Sequence, residues 1–264
     1  MPAADRRRPS AASSGKPSRP TRGAAAVATA AEGTVAGRGE SVARAYAQLR
    51  ELIVWGRLAP GSRIIESDIA ARLGVSRTPI RSALHRLQQE GYIVASDGAK
   101  EQRLVVAPLT FDDARELFLI VGQLEGLAAR QAAELPTPER TALVRQLRQL
   151  NDELARAARV AHPDQLRIFE LDTAFHRAYV EGGAGPRLRA LHDATKPQSE
   201  RYVRLYVSGL VDEIDKSVTE HERIVRHIED GNAAEAESAV DTNWRNAAQR
   251  FGRVITAFGE RGSW

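Results

Sequence analysis

Residues 66–90, ESDIAARLGVSRTPIRSALHRLQQE, constrain the fold more than any other part of this chain. The segment carries two short amphipathic helical patterns. Gly74 lies between them, where a residue without Cβ takes a positive φ at no steric cost. The apolar positions are Ile69, Ala70 and Leu73 in the first pattern, and Ile80, Ala83, Leu84 and Leu87 in the second. Two amphipathic helices joined by so tight a turn predict a helix-turn-helix.

The start of the second helix is polar and basic. We predict that Thr78 caps this helix with its side-chain oxygen and that Pro79 occupies the first turn, where no amide hydrogen is required. In a helix-turn-helix this end of the second helix enters the major groove and contacts base edges. The candidate DNA-binding residues here are Ser76, Arg77, Thr78 and Arg81. The alternative is an ordinary helical hairpin with a solvated basic face.

Two short β-branched runs follow, at residues 92–94 and 104–106, and a polar loop separates them. Such a pattern predicts a β-hairpin. A helix-turn-helix followed by a hairpin is a winged helix, and Gly98 and Lys100 would lie near the tip of the wing as further DNA-contacting residues. A helical apolar pattern upstream, which Gly56 ends, completes a predicted winged-helix DNA-binding domain over residues 40–108.

Composition excludes several kinds of protein. The chain has no cysteine, so disulfides, thiolate catalysis and thiolate zinc sites are excluded. No apolar run approaches the ~20 residues that a membrane-spanning helix needs. The basic N-terminus lacks the apolar segment of a secretory signal. We therefore expect a cytoplasmic protein without a membrane partner.

Charge is distributed unevenly along the chain. Seven basic and two acidic residues give residues 1–39 a net charge of +5, residues 40–108 carry +3, and residues 109–264 carry −4. Residues 1–39 are rich in Ala, Gly, Ser, Pro and Arg, and we expect a disordered basic arm. Both basic regions could face phosphates, which supply most non-specific DNA affinity. The arm either adds such contacts or is a tail without function.

From Thr110 onward the pattern is helical throughout. Thr110 begins a capping box, and Pro- or Gly-containing breaks then divide the chain into several amphipathic helices. Residues 109–258 are therefore predicted to form an all-α bundle, followed by a tail of residues 259–264. The predicted fold class is mainly α: an N-terminal winged helix-turn-helix followed by an all-α helical bundle.

Asp172 and His176 form a candidate metal site in this bundle. They are four residues apart on one predicted helix, so both side chains project from the same face. A carboxylate and an imidazole at this spacing are a common pair of metal ligands, and His221, inside another regular helix, is the natural third. Taken alone, the pair is also explained by a surface Asp–His contact or by a core histidine with satisfied hydrogen bonds.

The segment LGVSRTPIRSALHRLQQEGYIV resembles the signature of the GntR family of transcriptional regulators. The segments LDTAFHRAYV and EHERIVRHIEDGNAAEAE resemble the FCD effector domain of its FadR-type subfamily. The resemblance covers about residues 40–258. It implies a homodimer that binds a palindromic double-stranded DNA operator, with a small organic metabolite as effector in the helical domain. Repression is the expected mode of regulation.

In FCD domains an Asp and three His from four helices typically hold a divalent metal ion, often zinc or nickel. The resemblance places Asp172, His176 and His221 at the first three ligand positions, and Asn243 at the fourth in place of a histidine. An amide oxygen is a harder and weaker donor than imidazole, so zinc would bind less tightly. Alternatively the site holds no metal, and the same residues bind the effector by hydrogen bonds.

A second departure concerns the effector. Val121 stands where FCD proteins often have an arginine that pairs with an effector carboxylate. An anionic effector would then depend on the metal or on another cation, and the candidates are Arg130, Arg201 and Arg204. Such arginines more often form surface or interhelical ion pairs. An uncharged or aromatic effector is therefore more credible here than in the average FCD protein.

Two other functions fit parts of the sequence. A metal-dependent hydrolase could use Asp172, His176 and His221, but no general base or nucleophile constellation accompanies them. An architectural DNA-binding protein would need no effector cavity. The sequence favours a ligand-responsive transcription factor that is not an enzyme.

Overall fold

The computed structural model describes residues 23–96, 103–210 and 213–262, with side chains from residue 39 onward except that of residue 207. The elements are α1 (Gly23–Val54), α2 (Glu66–Leu73), α3 (Arg77–Gln89), β1 (Ile93–Ser96), β2 (Arg103–Val106), α4 (Phe111–Ala133), α5 (Thr137–Ala158), α6 (Gln165–Gly183), α7 (Pro186–Tyr206), a 3-10 turn (Val207–Gly209), α8 (Ile214–Asp230) and α9 (Ala233–Phe258). The mainly α fold class is confirmed. None of the helices in the described ranges combines enough length and apolarity to span a bilayer.

The C-terminal part of α1 packs with α2 and α3 around one apolar core. Leu49 and Ile53 of α1 are buried in it together with Leu84 and Leu87 of α3. Gly74 ends α2 in the left-handed region with φ 66°. The predicted tight turn is therefore confirmed, and it brings the two helices of the helix-turn-helix onto a common core.

The prediction that Thr78 caps α3 is wrong. The helix begins at Arg77, so Ser76 is the N-cap residue, and its backbone is extended with φ −71° and ψ 166°. The helix is able to start two residues before Pro79 because the first four amide groups of a helix have no intrahelical acceptor. Pro79 therefore still lies in the first turn, as the sequence predicts.

The structure also differs from the prediction for the N-terminal arm. Helix α1 begins at Gly23, so residues 23–39 are helical where the sequence predicts disorder. The alanines of this stretch explain the difference, since alanine has the highest intrinsic helix propensity. Residues 1–22 lie outside the described residues.

The predicted hairpin is present next to the helix-turn-helix. Strands β1 and β2 pair antiparallel, with Ile93 opposite Val106. An isolated bridge between Arg63 and Val105 adds the segment before α2 to this small sheet. Gly98 and Lys100, predicted at the wing tip, lie outside the described residues.

Helices α4 to α9 form the bundle, and α4 packs against α6, α7, α8 and α9. The predicted cap at Thr110 is confirmed, because its side chain accepts a hydrogen bond from the amide of Asp113 at 3.3 Å. The end of α6 comes very close to α4: a Cβ on Gly183 would lie 2.3 Å from the carbonyl oxygen of Ala128. Glycine at this position allows the two helices to approach closely. The contact positions α6 against α4, and with it the polar residues that α6 directs into the bundle.

Candidate DNA-binding and effector sites

The N-terminal end of α3 presents its polar side chains to solvent. Four of the six predicted DNA-contacting residues lie here and are exposed; they are Ser76, Arg77, Thr78 and Arg81. Arg81 makes a two-pronged contact with Glu66 of α2, with Nε–Oε1 at 3.1 Å and Nη2–Oε2 at 2.9 Å. This hydrogen bonding lowers the pKa of Glu66. Solvent screens an ion pair so exposed, so Arg81 can exchange Glu66 for another partner at little cost.

Three predicted metal ligands meet inside the bundle. Asp172 and His176 come from α6 and His221 comes from α8, and one ligand atom of each lies within 4.8 Å of the others. The Nε2 of His221 is 3.7 Å from Oδ1 of Asp172. Residues four apart on α6 and a residue on a neighbouring helix therefore converge on one point. His176 and His221 are buried, whereas Asp172 is partly exposed.

The surroundings of His221 leave one ring nitrogen without a partner. Asn151 of α5 donates its amide N–H to the carbonyl of Val218 at 3.0 Å, which directs its Oδ1 to Nδ1 of His221, also at 3.0 Å. The proton is therefore on Nδ1, and the lone pair is on Nε2. Within the described chain this buried Nε2 has no hydrogen-bond partner. Burial, with the neighbouring His176, lowers the pKa of His221 well below its usual range, so the ring is neutral as a metal ligand must be.

Hydrogen bonds to its Nδ1 also orient the ring of His176. Its Nδ1 donates to Oε2 of Glu125 at 2.6 Å and lies 2.7 Å from the hydroxyl of Tyr179. Because Nδ1 is engaged by a carboxylate, Nε2 is the nitrogen that remains for a ligand. A carboxylate behind a histidine fixes the ring and raises its basicity toward a metal. The two histidines therefore have the supporting hydrogen bonds of metal-ligating imidazoles.

Glu125, from the centre of α4, is fully buried and is an ionised acceptor for several donors. Besides His176 they are Tyr179 at 2.6 Å, Trp244 at 2.9 Å, His192 at 3.0 Å and Lys196 at 3.0 Å. Burial by itself would raise the pKa of Glu125, but Lys196 and His176 outweigh it and hold the pKa well below its usual range. Glu125 thus joins α4, α6, α7 and α9 behind the Asp172–His176–His221 cluster.

Asn243, the predicted fourth ligand, is buried on α9 and lines the same cavity as Asp172 and His176. Its amide nitrogen donates to Glu220 at 2.7 Å, which leaves its carbonyl oxygen as the acceptor. Glu220 also accepts two hydrogen bonds from Arg250, at 2.9 and 3.0 Å. The α9 residue therefore offers the cavity an oxygen, not a nitrogen.

This cavity, which we call the metal cavity, has a volume of about 70 Å³. Apolar side chains such as Phe169 and Phe251 form most of its wall. A space of this size holds several water molecules or one small organic molecule. Arg250 is the lining cation, but Glu220 neutralises it. The polar groups that a ligand meets here, besides Ser217, are the partly exposed carboxylates of Asp172 and Glu213, the imidazole of His176 and the amide of Asn243; His221 lies behind this lining.

None of the three arginines named as effector contacts lines the metal cavity. Arg130 is on the exposed side of α4, where it pairs with Glu237 at 3.0 Å. Arg201 and Arg204 lie on α7 and line a different cavity, next to the end of α1. The position of Arg130 agrees with the alternative of a surface ion pair.

Sequence reasoning missed the residues that support the site, namely Glu125, Asn151, Glu220 and Arg250. One signal was available for Glu125, since it is a lone acid among small apolar residues in LEGLAAR. Another was the spacing of Asn243, Asn246 and Arg250 on one side of α9; all three contact Glu220. No comparable local signal marks Asn151, because its role depends on the distant His221.

A winged helix with a basic recognition helix, followed by a helical bundle whose mainly apolar cavity contains a few polar side chains, defines a class. It is that of DNA-binding transcriptional regulators with an effector domain of their own. Sequence comparison agrees: residues 41–99 match the bacterial regulatory proteins of the gntR family, and residues 116–246 match the FCD domain. The chain belongs to the GntR family and carries an FCD domain. Members of this family are transcriptional regulators and not enzymes, which removes the support for a hydrolase.

Relatives and structural neighbours agree with this assignment. An uncharacterized HTH-type transcriptional regulator in an unstable DNA locus of Streptomyces ambofaciens is 31% identical over 211 residues, which cover 79% of this chain and 84% of the relative. The uncharacterized HTH-type regulator YdhC of Bacillus subtilis is 26% identical over 211 residues, covering 80% and 90%. The structure of McbR/YncC from E. coli superposes with a TM-score of 0.63 over 83% of this chain and 99% of that one. At 19% identity it shows a shared fold.

Proposed function

We propose that this protein is a homodimeric repressor whose binding to a palindromic operator is controlled by a small metabolite in the metal cavity. The observation that carries the proposal is the buried, unpartnered Nε2 of His221, which faces Asp172 in a bundle joined to an exposed basic recognition helix. A buried polar atom without a partner is costly unless a ligand satisfies it. To repress a gene, the protein needs only to occupy the operator. Because the operator would be part of bacterial DNA, the protein would act in the cytoplasm.

The metal cavity fits a divalent ion. Asp172, His176 and His221 would hold it, and the carbonyl oxygen of Asn243 is the fourth candidate donor. Two imidazoles and oxygen donors suit zinc or nickel, although the amide oxygen weakens the site relative to three imidazoles. The ion would supply a Lewis-acidic point to which an oxygen atom of the effector binds. If no ion binds, the same groups would hold the effector by hydrogen bonds.

The effector is expected to be small. The cavity volume of about 70 Å³ limits its size, and its apolar wall favours a hydrocarbon body. Because Glu220 neutralises Arg250, the described lining of this cavity contains no free cation that would require a charged ligand. An uncharged or aromatic molecule with one oxygen donor satisfies these constraints.

DNA reading is assigned to the exposed end of α3. Arg77 and Arg81 would contact guanine, since the guanidinium fork matches O6 and N7 in the major groove. Ser76, Thr78 and the helix N-terminus would hold phosphates. In the structure the guanidinium of Arg81 already forms two hydrogen bonds with one carboxylate, that of Glu66.

Dimerisation is assigned to the outer face of α4. Leu119, Ile120 and Leu127 are 41%, 42% and 43% exposed there. Large apolar side chains grouped on one exposed face mark an interaction surface. A second copy of this chain would cover the face across a two-fold axis, and a palindromic operator follows from that symmetry. Replacing Ile120 with Glu should convert a dimer to a monomer in sedimentation experiments, while Gln165→Glu, at the exposed start of α6 and away from this face, should not.

The first test of the proposed function identifies the DNA sequence that the protein binds. Purified protein is used to select sequences from random double-stranded DNA, and an inverted repeat is expected. Metal content is measured on the same preparation, with His221→Ala as the comparison. A selected sequence without two-fold symmetry, or equal metal content in the wild type and in His221→Ala when metal is present, would contradict the proposal. A reporter gene under the selected operator should be silenced by the wild type, and activation would refute repression.

A further inference from the structure

A second cavity lies where the end of α1 meets α7. Its volume is about 80 Å³, and it is lined by Arg201, Arg204 and seven uncharged residues, among them Trp55 and Leu109. It shares no lining residue with the metal cavity. We call it the interdomain pocket, because Trp55 belongs to the winged helix and the arginines belong to the bundle.

Arg201 is a buried cation that forms no ion pair with any described residue. The residue is 4% exposed, and its Nη2 donates to the carbonyl of Ala107 at 2.6 Å. Among the described residues no carboxylate lies within ion-pair distance of its guanidinium. Burial lowers its pKa from the usual value. Burying an unpaired charge is unfavourable, so a group that compensates it would bind with a large gain.

Arg204 supplies a second cation to the same pocket. Its guanidinium carbon lies 3.5 Å from the ring centre of Trp55 and 4.1 Å from that of Phe169. Both distances are those of cation–π contacts. Its buried Nε has no hydrogen-bond partner in the part of the chain that the structure describes. Arg204 is therefore held in place by stacking, with donor capacity left over.

We propose that the interdomain pocket binds a small organic monocarboxylate through Arg201 and Arg204. The guanidinium fork matches a carboxylate with two parallel hydrogen bonds, and the charges of both partners strengthen these bonds. The uncharged lining, including Trp55 and Leu109, accepts the hydrocarbon part of the ligand. The volume corresponds to roughly five to eight water sites, which limits the ligand to a small acid.

A ligand in this pocket contacts both parts of the protein. Trp55 directly follows α1 of the winged helix, whereas Arg201 and Arg204 are on α7, which also carries His192 and Lys196 to Glu125. Phe169 lines the metal cavity and contacts Arg204. The pocket is thus placed to couple its occupant to the orientation of the DNA-binding domain.

Benzoate is the probe for the experiment, with benzamide as its uncharged counterpart. Calorimetric titration and thermal melting are carried out on the wild-type protein and on Arg201→Gln and Arg204→Gln. We expect benzoate to bind the wild type and raise its melting temperature. Each substitution should weaken benzoate binding at least tenfold. The affinity for benzamide should be the same in the wild type and in both variants, because the amide carries no charge for the two arginines to pair with.

Two further variants separate this pocket from other sites. Arg130→Gln removes an exposed arginine on α4, and Asp172→Ala disrupts the metal cavity; both should bind benzoate as the wild type does. Loss of binding in Asp172→Ala would place the probe in the metal cavity and overturn the inference, as would wild-type affinity in Arg204→Gln or no binding by the wild type. Should Arg201→Gln fail to fold, Arg204→Gln decides, because Arg204 is half-buried and held by stacking. All titrations contain a chelator, so that a metal ion in the metal cavity cannot contribute to benzoate binding.

Discussion

Replacing Glu125 with Gln should destabilise the protein strongly. The carboxylate is fully buried and pairs with Lys196 at 3.0 Å, and Lys196 has no other ion pair in the described chain. The amide removes the charge and leaves a buried ammonium group uncompensated. Breaking a buried pair by removing one partner costs about 3–5 kcal/mol, which is a large part of the total of about 5–15 kcal/mol for a typical domain.

The measurement is urea unfolding followed by circular dichroism, in the presence of a chelator so that metal binding does not contribute. Glu125→Gln should lower the free energy of unfolding by about 3–5 kcal/mol. Glu237→Gln, which removes a partly exposed partner of Arg130, should change it by less than about 1 kcal/mol. The double variant with Lys196→Met should recover part of the loss, because it no longer buries an unpaired charge. A loss below about 1 kcal/mol in Glu125→Gln would refute the reasoning, since an unpaired buried charge cannot cost so little.

The same variant tests the ionisation of Glu125. Its pKa is held well below the usual range in the folded protein, so the unfolded chain binds a proton there first as the pH falls. The stabilisation is then fully present above the unfolded-state pKa of about 4.3 and is lost as the pH falls through the lower folded-state pKa. The difference between wild type and Glu125→Gln should be constant from pH 7 to about 5 and should narrow below about 4.3. A difference that does not change on acidification would show that Glu125 is protonated in the native state.

Three other substitutions test the DNA site, the metal site and the packing. Arg81→Ala should cost about 1–3 kcal/mol on the selected operator and relax base preference at one position; equal losses on specific and random DNA would mean that Arg81 contacts phosphate alone. Asn243→His should tighten zinc or nickel binding, because imidazole is the better donor, and an unchanged affinity in a metal titration would remove residue 243 from the ligand set. Gly183→Ala should lower the free energy of unfolding by at least about 1–3 kcal/mol, because its Cβ would lie 2.3 Å from the carbonyl oxygen of Ala128; near-wild-type stability would contradict so close an approach of the helices.

The sequence by itself determined the helix-turn-helix, the hairpin and the helical bundle. Each of these follows from local patterns: an apolar stripe, the positive φ of Gly74, the cap at Thr110. The i, i+4 spacing also determined that Asp172 and His176 share one face of a helix. The same local reasoning misplaced the α3 cap at Thr78 and predicted disorder for residues 23–39, where several weak preferences compete.

The tertiary structure alone decided what surrounds those residues. Asn151 and Glu125 determine which nitrogen of each histidine is free, and they lie 70 and 51 residues away from the rings that they orient. Arg201 and Arg204 look like ordinary surface cations in the sequence. The packing of α7 buries Arg201 with no ion-pair partner in the described ranges and places Arg204 over the ring of Trp55. Hydrogen bonding and charge compensation depend on partners distant in sequence, and a periodic pattern carries no information about which helices will meet.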